Sequence, residues 1–312
     1  MNIAFVFPGQ GAQSPGMMAG FEDIPAVRGT FEEASDILKQ DVWALVAAGA
    51  RADDLNQTLN TQPVMLTAGM AVYRAWRAIG GDAPSLLAGH SLGEYTALVA
   101  AGALEFDVAL PLVRYRAQCM QTAVAEGKGA MAAVLGLDDD TVRAACAQAA
   151  EGEVVDAVNF NSPGQVVIAG EKQAVERAMA VAREKGAKRV VWLPVSVPSH
   201  CALMRPAAAA LANYLQTVTL TPPTIPVLHN ADVAAYTEAS AIKDALVRQL
   251  YNPVRWVETL RAMANQEITH VAECGPGKVL TGLNKRIDAA IETLSLMDTV
   301  ALKAAKSILT PK

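Results

Sequence analysis

The sequence SLLAGHSLGEYTALVAA (85–101) combines a short apolar segment, a serine flanked by glycines and a helix-forming segment. Ser85–Gly89 reads as a buried strand and Glu94–Ala101 as the start of a helix. Gly89 and Gly93 lie two residues on either side of Ser91, which is the spacing of a nucleophile elbow. At such a tight turn the glycines remove side chains that would collide with backbone, and the serine hydroxyl points to the N-terminus of the next helix. The stretch therefore predicts a parallel α/β sheet with Ser91 as a candidate nucleophile; an ordinary serine-containing turn is the alternative.

The segments before the elbow repeat the same order. Ile3–Phe7 is a short apolar strand, followed by the glycine-rich turn PGQGAQ. Val27–Gln40, Asp41–Ala48 and Gln62–Ile79 then read as helices, the last with apolar residues at helical spacing. Strand, glycine turn and helix in alternation indicate an α/β fold with a parallel sheet.

The middle of the chain changes character. Between 125 and 197 the predicted order is β-α-β-β-α-β, which is the ferredoxin-like order. We therefore expect an inserted small domain at 125–197 within a core formed by 1–124 and 198–312. In the second part of the core the pattern predicts helices at Ala202–Gln216 and Ala239–Leu250, with strands at Ile225–Asn230 and Ile268–Cys274, the latter as the last core strand.

Composition restricts the classes of function. Of the 312 residues 52% are hydrophobic and 18% are charged, which is enough to fill a large core. The longest run of apolar residues and glycine, Gly129–Leu137, is far shorter than the roughly 18 residues a membrane span needs. The N-terminus lacks the features of a signal peptide, and four scattered cysteines suit reduced thiols, so a cytoplasmic protein is expected. A net charge of −5 disfavours nucleic acid as a partner.

A nucleophilic serine needs a base, and the chain has four histidines. His90 lies inside the elbow, where its side chain leaves the turn in another direction, so we expect a structural role. His229 and His270 lie in apolar strand contexts that favour hydrogen-bonded core histidines. His200 follows a proline-marked turn at the predicted boundary between the two domains, where clefts form. The sequence therefore favours His200, with His270 as the second candidate.

Other chemistries lack support. Gly9-Gln10-Gly11 does not complete a dinucleotide-binding pattern, and Gly275-Pro276-Gly277-Lys278 lacks the residues of a phosphate-binding loop. No cluster of histidine, cysteine and carboxylate side chains has metal-ligand spacing. We expect no metal and no cofactor, and PGQG reads as a turn that offers a backbone N–H to the top of the sheet.

Seven segments in order along nearly the whole chain resemble the malonyl-CoA:acyl carrier protein transacylases of fatty-acid synthesis. These segments are FVFPGQGAQ (5–13), GHSLGEYTAL (89–98), LVRYRAQCMQ (112–121), NFNSPGQVVIAG (159–170), PVSVPSHCALM (194–204), QLYNPVRW (249–256) and ECGPGKVL (273–280). Each is weak alone, but together they are specific. The resemblance implies an α/β-hydrolase-like core with a ferredoxin-like insert, in agreement with the predicted order of elements.

The resemblance also implies the roles of individual residues. Ser91 would be the acylated nucleophile and His200 its base. The backbone carbonyl of Gln249 would orient His200 in place of the acid of a usual triad. Asn159 lies in a matching motif but receives no chemical step.

Three further residues would bind the substrate. The backbone N–H groups of Gln10 and Leu92 would form an oxyanion hole, and Arg116 would bind the free carboxylate of a malonyl group. Without the resemblance, Arg116 would be read as a solvated helix residue. An arginine can hold a carboxylate by two parallel hydrogen bonds, and an acetyl group would leave that charge unpaired.

The function implied is transfer of malonyl from malonyl-CoA to the pantetheine thiol of acyl carrier protein by a monomeric enzyme. The alternatives are a serine hydrolase or thioesterase of related fold and a non-catalytic module that binds carrier protein. A polyketide or malonate-decarboxylase pathway also stays open. Because carrier proteins of this pathway are acidic, a basic docking patch is expected, although ordinary solvated charges are an equal alternative. The candidate residues are Lys185, Lys188 and Arg189 in the insert and Lys278, Lys285 and Arg286 near the last turn.

Overall fold

The structure is a computed structural model that describes residues 2–195 and 197–310. Met1, Ser196, Pro311 and Lys312, which belong to the predicted core and insert, lie outside the described residues. The strands are β1 (Ile3–Phe7), β2 (Leu86–Gly89), β3 (Gly129–Leu135), β4 (Val155–Ser162), β5 (Gln165–Glu171), β6 (Arg189–Trp192), β7 (Val227–Leu228), β8 (His270–Glu273) and β9 (Glu292–Ser295).

The α-helices of the described residues alternate with these strands along most of the chain. They are α1 (Pro25–Leu38), α2 (Ala52–Asn56), α3 (Thr58–Ala78), α4 (Gly93–Ala100), α5 (Phe106–Ala123), α6 (Asp139–Ala149), α7 (Lys172–Glu184), α8 (Arg205–Gln216), α9 (Ala239–Gln249), α10 (Trp256–Asn265), α11 (Val279–Ile287) and α12 (Thr299–Leu309).

The larger sheet is parallel, with the order β7-β2-β1-β8-β9. Its central strand β1 is buried along its whole length, as expected for a parallel strand covered by helices on both faces. Phe5 and Phe7 pack into the core that contains α1, α3 and α5, whereas Ala4 and Val6 face the core around Trp256. Successive side chains of β1 thus enter cores on opposite faces of the sheet, as in an α/β fold. The predicted α/β fold is confirmed.

The smaller sheet is antiparallel and has its own apolar core. Its order, β4-β5-β3-β6, is the arrangement expected of a ferredoxin-like β-α-β-β-α-β unit with α6 and α7 on one face. The elements of this sheet lie between Gly129 and Trp192, inside the limits 125–197, which themselves stay a prediction. Backbone hydrogen bonds in both directions between β4 and Val254 join the unit to the core.

Glycines at the elbow between β2 and α4 permit a contact that no side chain would allow. A Cβ on Gly89 would lie 1.9 Å from the backbone of Gly93, and a Cβ on Gly93 would lie 2.0 Å from the carbonyl oxygen of Phe7. Ser91 between them has a φ of +51°, which is rare for a residue with a side chain. The first helix after the elbow thus packs directly against the end of β1.

Two predicted elements of the core are shorter in the structure. The helix predicted at Asp41–Ala48 is only a 3-10 turn at Trp43–Leu45, in which Leu45 and Val46 donate to carbonyls three residues back. Beyond this turn the carbonyls of Val46 and Ala47 accept from the backbone N–H of Gly16. The strand predicted at Ile225–Asn230 is reduced to the two residues of β7 at the edge of the sheet, which pairs with β2 and forms one antiparallel bridge from Leu228 to Ala235. Pro226 before it has no N–H to contribute to the sheet.

Other differences concern the ends of elements. β8 is not the last core strand, because β9 adds a further parallel strand beyond it. β9 has the sequence ETLS, and a short polar edge strand of this kind carries little apolar pattern. The segment predicted as helix at Ala202–Gln216 begins with a 3-10 turn, and its α-helix starts at Arg205 before Pro206.

The contact at Gly93 yields a stability prediction. Gly93→Ala should destabilise the fold by about 3 kcal/mol or more, because the added methyl collides with the backbone carbonyl of Phe7. Gly29→Ala is the matched control: Gly29 lies inside α1 with open space around it, so alanine should stabilise by about 0.5–1 kcal/mol. Urea unfolding of both variants measures the difference. Equal stabilities would show that the elbow tolerates a Cβ.

Candidate active site

Ser91 stands at the tip of the elbow, and its backbone is held from a distant segment. Its N–H donates to Oδ1 of Asn230 (2.7 Å), and Nδ2 of the same asparagine donates to the carbonyl of Gly89 (2.6 Å). Asn230 follows the short strand β7 and is completely buried. The left-handed backbone of Ser91 is therefore fixed by hydrogen bonds on both sides of the turn.

The imidazole of His200 lies next to the serine hydroxyl. Ser91 Oγ and His200 Nε2 are 2.8 Å apart, and His200 Nδ1 lies 2.8 Å from the main-chain oxygen of Gln249. A carbonyl can only accept, so Nδ1 carries the proton and Nε2 accepts from the hydroxyl. The partner of the imidazole is thus a carbonyl at the end of α9, in the place where many serine enzymes have a carboxylate.

Arg116 reaches the same point from α5 and is 1% exposed. Its Nη1 donates to Oε1 of Gln62 (2.8 Å), and its Nη2 donates to Oε1 of Gln249 (2.9 Å) and weakly to Ser91 Oγ (3.3 Å). Within residues 2–195 and 197–310, no carboxylate forms an ion pair with this guanidinium, and its Nε has no hydrogen-bond partner. A buried cation whose hydrogen-bond acceptors among these residues are all neutral is suited to receive an anionic group.

The surroundings of His200 keep its imidazole neutral. Burial, together with the positive charge of Arg116, lowers the pKa of His200 to about 3. The imidazole is therefore able to accept a proton throughout the neutral pH range. Burial also lowers the pKa of His90, which is hydrogen-bonded to Asn161 (2.8 Å) rather than to the serine.

The turn after β1 lies against the elbow. A Cβ on Gly9 would be 2.5 Å from the carbonyl oxygen of His90 and 3.6 Å from the backbone nitrogen of Leu92. Among the described residues, neither the N–H of Gln10 nor that of Leu92 donates a backbone hydrogen bond. Both residues line the cavity above Ser91, where donors of this kind can bind a developing oxyanion.

A cavity of about 570 Å³ connects these groups. It is lined by five of the six residues predicted for the site, Gln10, Ser91, Leu92, Arg116 and His200. Gln249, the sixth, is completely buried behind them and contacts the site through its carbonyl and its amide. The structure thus brings all six predicted residues to one place. The cavity also borders Asn159, Gln62 and the segment Leu193–Val195 at the end of β6.

Three residues of the site were not predicted from the sequence: Gln62, Asn230 and Glu94. Each is buried and hydrogen-bonded to a residue far away along the chain. Gln62 and Asn230 have no local signal. Glu94 has one, since it is the single carboxylate of the buried helix α4, directly after the elbow.

The remaining histidines lie apart from the reaction geometry. His229 is buried and its Nδ1 is 2.7 Å from Glu94, as expected for a core histidine. His270 starts β8 and contacts Thr269 and Glu292. Within the described part of the chain, no group of three or more metal-ligating side chains is found, and no helix is long and apolar enough to cross a membrane.

The serine hydroxyl is hydrogen-bonded to a neutral imidazole, and backbone N–H groups and a cavity lie above it. This arrangement defines the class of enzymes that carry acyl groups on a serine. The chain belongs to the acyl transferase domain family, which matches residues 4–295, and so the resemblance inferred from its motifs is confirmed.

Similar proteins agree in sequence and in structure. The chain is 56% identical to the malonyl CoA-acyl carrier protein transacylase of Escherichia coli K12, over 97% of this chain and 98% of the relative. The corresponding protein of Bacillus subtilis is 41% identical, over 97% and 96%.

Two solved structures cover nearly the whole chain. The crystal structure of the acyl-carrier-protein S-malonyltransferase of Burkholderia pseudomallei has a TM-score of 0.97 and 59% identity, covering 98% of this chain and 100% of the other. A malonyl-transacylase solved in complex with its type II polyketide-synthase acyl carrier protein has a TM-score of 0.97 and 51% identity, covering 99% and 100%.

The low pKa of His200 predicts an unusual pH dependence. A neutral phosphonofluoridate should modify Ser91 at a rate that stays flat from about pH 8 down to about pH 5, because the imidazole remains unprotonated well below its ordinary value near 6.5. Below this range the modification rate should fall as His200 becomes protonated. In Arg116→Ala this fall in rate should begin at a higher pH, because a cation beside the imidazole has been removed. An inflection near pH 6.5 in the unmodified protein would contradict the buried, neutral base.

Proposed function

We propose that this protein transfers a malonyl group from malonyl-CoA to the pantetheine thiol of acyl carrier protein through an acyl-serine on Ser91. The observation that carries the proposal is the buried guanidinium of Arg116, 3.3 Å from the Ser91 hydroxyl and without a carboxylate partner among the described residues. A thioester whose acyl group ends in a carboxylate supplies the missing anion.

The first half of the reaction acylates the serine. His200 Nε2 takes the hydroxyl proton as Ser91 Oγ attacks the thioester carbonyl, and the N–H groups of Gln10 and Leu92 stabilise the oxyanion. The tetrahedral intermediate then collapses, the carbon–sulfur bond breaks, and His200 returns the proton to the departing thiolate of CoA. The products are malonyl-Ser91 and free CoA.

The second half runs the same steps in reverse with a different thiol. The pantetheine thiol of the carrier protein gives its proton to His200 and attacks the ester carbonyl carbon of malonyl-Ser91. The bond between that carbon and Ser91 Oγ then breaks, and His200 returns the proton to the serine oxygen. Because CoA leaves before the carrier protein reacts with malonyl-Ser91, the kinetics should be ping-pong. Malonyl-carrier protein would supply the chain-elongation steps of fatty-acid synthesis, and we place the enzyme in the cytoplasm as a monomer.

Selectivity would reside in Arg116. The planar guanidinium can form two parallel hydrogen bonds with a carboxylate while Gln62 and Gln249 hold its orientation. An acetyl group would leave this buried charge without an anion, which is the kind of mismatch that discriminates strongly between substrates.

The alternative function is hydrolysis by a serine hydrolase or thioesterase. That class usually orients its histidine with an acid placed between the serine and the histidine in the chain. Here His200 Nδ1 is bonded to the carbonyl of Gln249. This geometry favours the transferase over the hydrolase, and accumulation of malonyl-Ser91 in the absence of a thiol separates the two.

The mass of the intact protein after exposure to acyl-CoAs tests the proposed chemistry. Malonyl-CoA should add one malonyl group, and Ser91→Ala should add none. Arg116→Ala should lower the malonyl over acetyl preference by about 10²-fold or more, because breaking a buried ion pair costs about 3–5 kcal/mol.

Arg114→Ala is the matched control for Arg116→Ala. Arg114 lies on the same helix but bonds to Leu38 and Gln40 outside the cavity, so its removal should leave the preference unchanged. Equal preferences in all three proteins would remove Arg116 from the mechanism. Steady release of malonate without an acyl-enzyme would favour the hydrolase.

Carrier-protein docking is a separate part of the proposal. Lys188 and Arg189 are exposed at the start of β6, and the segment directly after this strand lines the cavity. Lys188 and Arg189 lie at the opposite end of β6 from the cavity, roughly 13 Å along the strand, so an acidic carrier protein would contact them at the edge of its footprint. The second candidate group is Lys278, Lys285 and Arg286, all exposed, of which Arg286 donates to Gln165 (2.8 Å).

Charge reversal of Lys188 and Arg189 together should raise the apparent KM for carrier protein about tenfold and leave the KM for malonyl-CoA unchanged. The control reverses Lys172 and Arg183, exposed cations on α7 of the same unit, with the same change in net charge. Equal effects of both double variants, or an equal change in both KM values, would reject this docking surface.

A further inference from the structure

Glu94 is a buried carboxylate that no step of the proposed reaction uses. It lies on α4 with no exposed surface, three residues after Ser91. Its Oε1 lies 2.7 Å from His229 Nδ1, and its Oε2 accepts from the backbone N–H of Asn230 (2.9 Å) and from Nε2 of Gln249 (3.0 Å). Two oxygens thus accept from three donors on two other segments of the chain.

Through Gln249 the carboxylate reaches both His200 and Arg116. The amide of Gln249 donates from Nε2 to Glu94 and to the carbonyl of Ser91 (2.9 Å), and its Oε1 accepts from Arg116 (2.9 Å). A reversed amide would direct its NH₂ at the guanidinium and its oxygen at the carboxylate, so both contacts would become repulsive. Glu94 therefore determines which end of this amide faces Arg116.

A second connection runs through Asn230 to the elbow. The backbone N–H of Asn230 donates to Glu94, and its side chain holds the N–H of Ser91 and the carbonyl of Gly89. Any displacement of Glu94 would consequently loosen the turn that carries the nucleophile. This effect would act on every acyl group alike, whereas the effect through Gln249 would act only on groups that need Arg116.

We propose that Glu94 is a positioning residue that orients Arg116 through the amide of Gln249 and thereby sets the preference for acyl groups with a free carboxylate. The inference rests on the proposed function. It assigns the preference to a residue that does not line the cavity. The ratio of the malonylation and acetylation rates reports this role, because the ratio does not depend on how much of a variant is folded.

Two substitutions at position 94 separate contacts from charge. Glu94→Gln keeps an oxygen for Asn230 and Gln249, and its NH₂ can donate to His229 Nδ1, because Nε2 of that histidine has no partner and can take the ring proton. Glu94→Ala removes all three contacts. Thr96→Ala is the control on the same helix, since Thr96 is buried against Gly69 outside this network.

Acylation of Ser91 by malonyl-CoA and acetyl-CoA, followed by intact mass, gives the ratio for each variant. We expect Glu94→Ala to lower the malonyl over acetyl ratio about tenfold and Glu94→Gln to stay within about threefold of the unmodified protein. Thr96→Ala should leave the ratio unchanged, because the buried hydroxyl that it removes has no hydrogen-bond partner among the described residues. An unchanged ratio in Glu94→Ala overturns the proposal, and equal losses in Glu94→Ala and Glu94→Gln overturn it by assigning the effect to charge.

Gln249→Met provides the second test, which also applies if Glu94→Ala does not fold. It leaves Glu94 and the main-chain carbonyl in place and removes the amide, so the ratio should fall about tenfold here too. In the Gln249→Met background a change at Glu94 should have no further effect on the ratio, and additive losses would overturn the connection. If the unmodified protein forms no malonyl-Ser91, the proposed function itself fails; normal malonylation with an unchanged ratio in the variants overturns this inference alone.

Discussion

The burial of one positive charge, the guanidinium of Arg116, determines how the rest of the site is arranged. Moving a cation out of water is costly unless polar groups surround it, and here two glutamine side-chain oxygens do so. Neutral partners solvate the charge without cancelling it. Arg116 therefore remains able to bind an anion. Burial of His200 is the larger cause of its low pKa, and the positive charge of Arg116 lowers that pKa further.

The residues of the site come from distant segments that the two sheets and their helices bring together. Ser91 lies at the end of β2 in the parallel sheet, and Arg116 lies on α5, which packs in the same core. His200 comes from the segment that returns from the small antiparallel sheet, and its left-handed backbone (φ +67°) directs the ring back toward the serine. The backbone N–H of His200 also donates to the carbonyl of Leu250, next to the carbonyl that receives its ring. Hydrogen bonds to the end of α9 thus fix the position of His200, and the cavity is lined by the elbow together with Met131 and Asn159 of the antiparallel sheet.

The parts of the fold and site that could be predicted are those encoded by patterns local in the sequence. The elbow, the parallel sheet and the β-α-β-β-α-β unit each follow from spacing within a few tens of residues. Gln62 and Asn230 could not be found in this way, because their functions depend on pairings with residues 54 and 139 positions away. The helix predicted at Asp41–Ala48 is also wrong: that segment forms only a 3-10 turn, and its end is hydrogen-bonded to the distant residue Gly16. Local propensity carries no information about such a contact.

The carbonyl that orients His200 is consistent with thioester exchange as the chemistry. A carboxylate in that position would strongly stabilise the imidazolium, whereas the carbonyl of Gln249 offers only a dipole, and the buried imidazole stays a weak base. A weak base is sufficient if the leaving group does not need a strong acid. A thiol has a pKa of about 8.5 and leaves readily as a thiolate, unlike the amine expelled from a peptide. The same weakness slows activation of water, so the acyl-serine can wait for a second thiol, and transfer is favoured over hydrolysis.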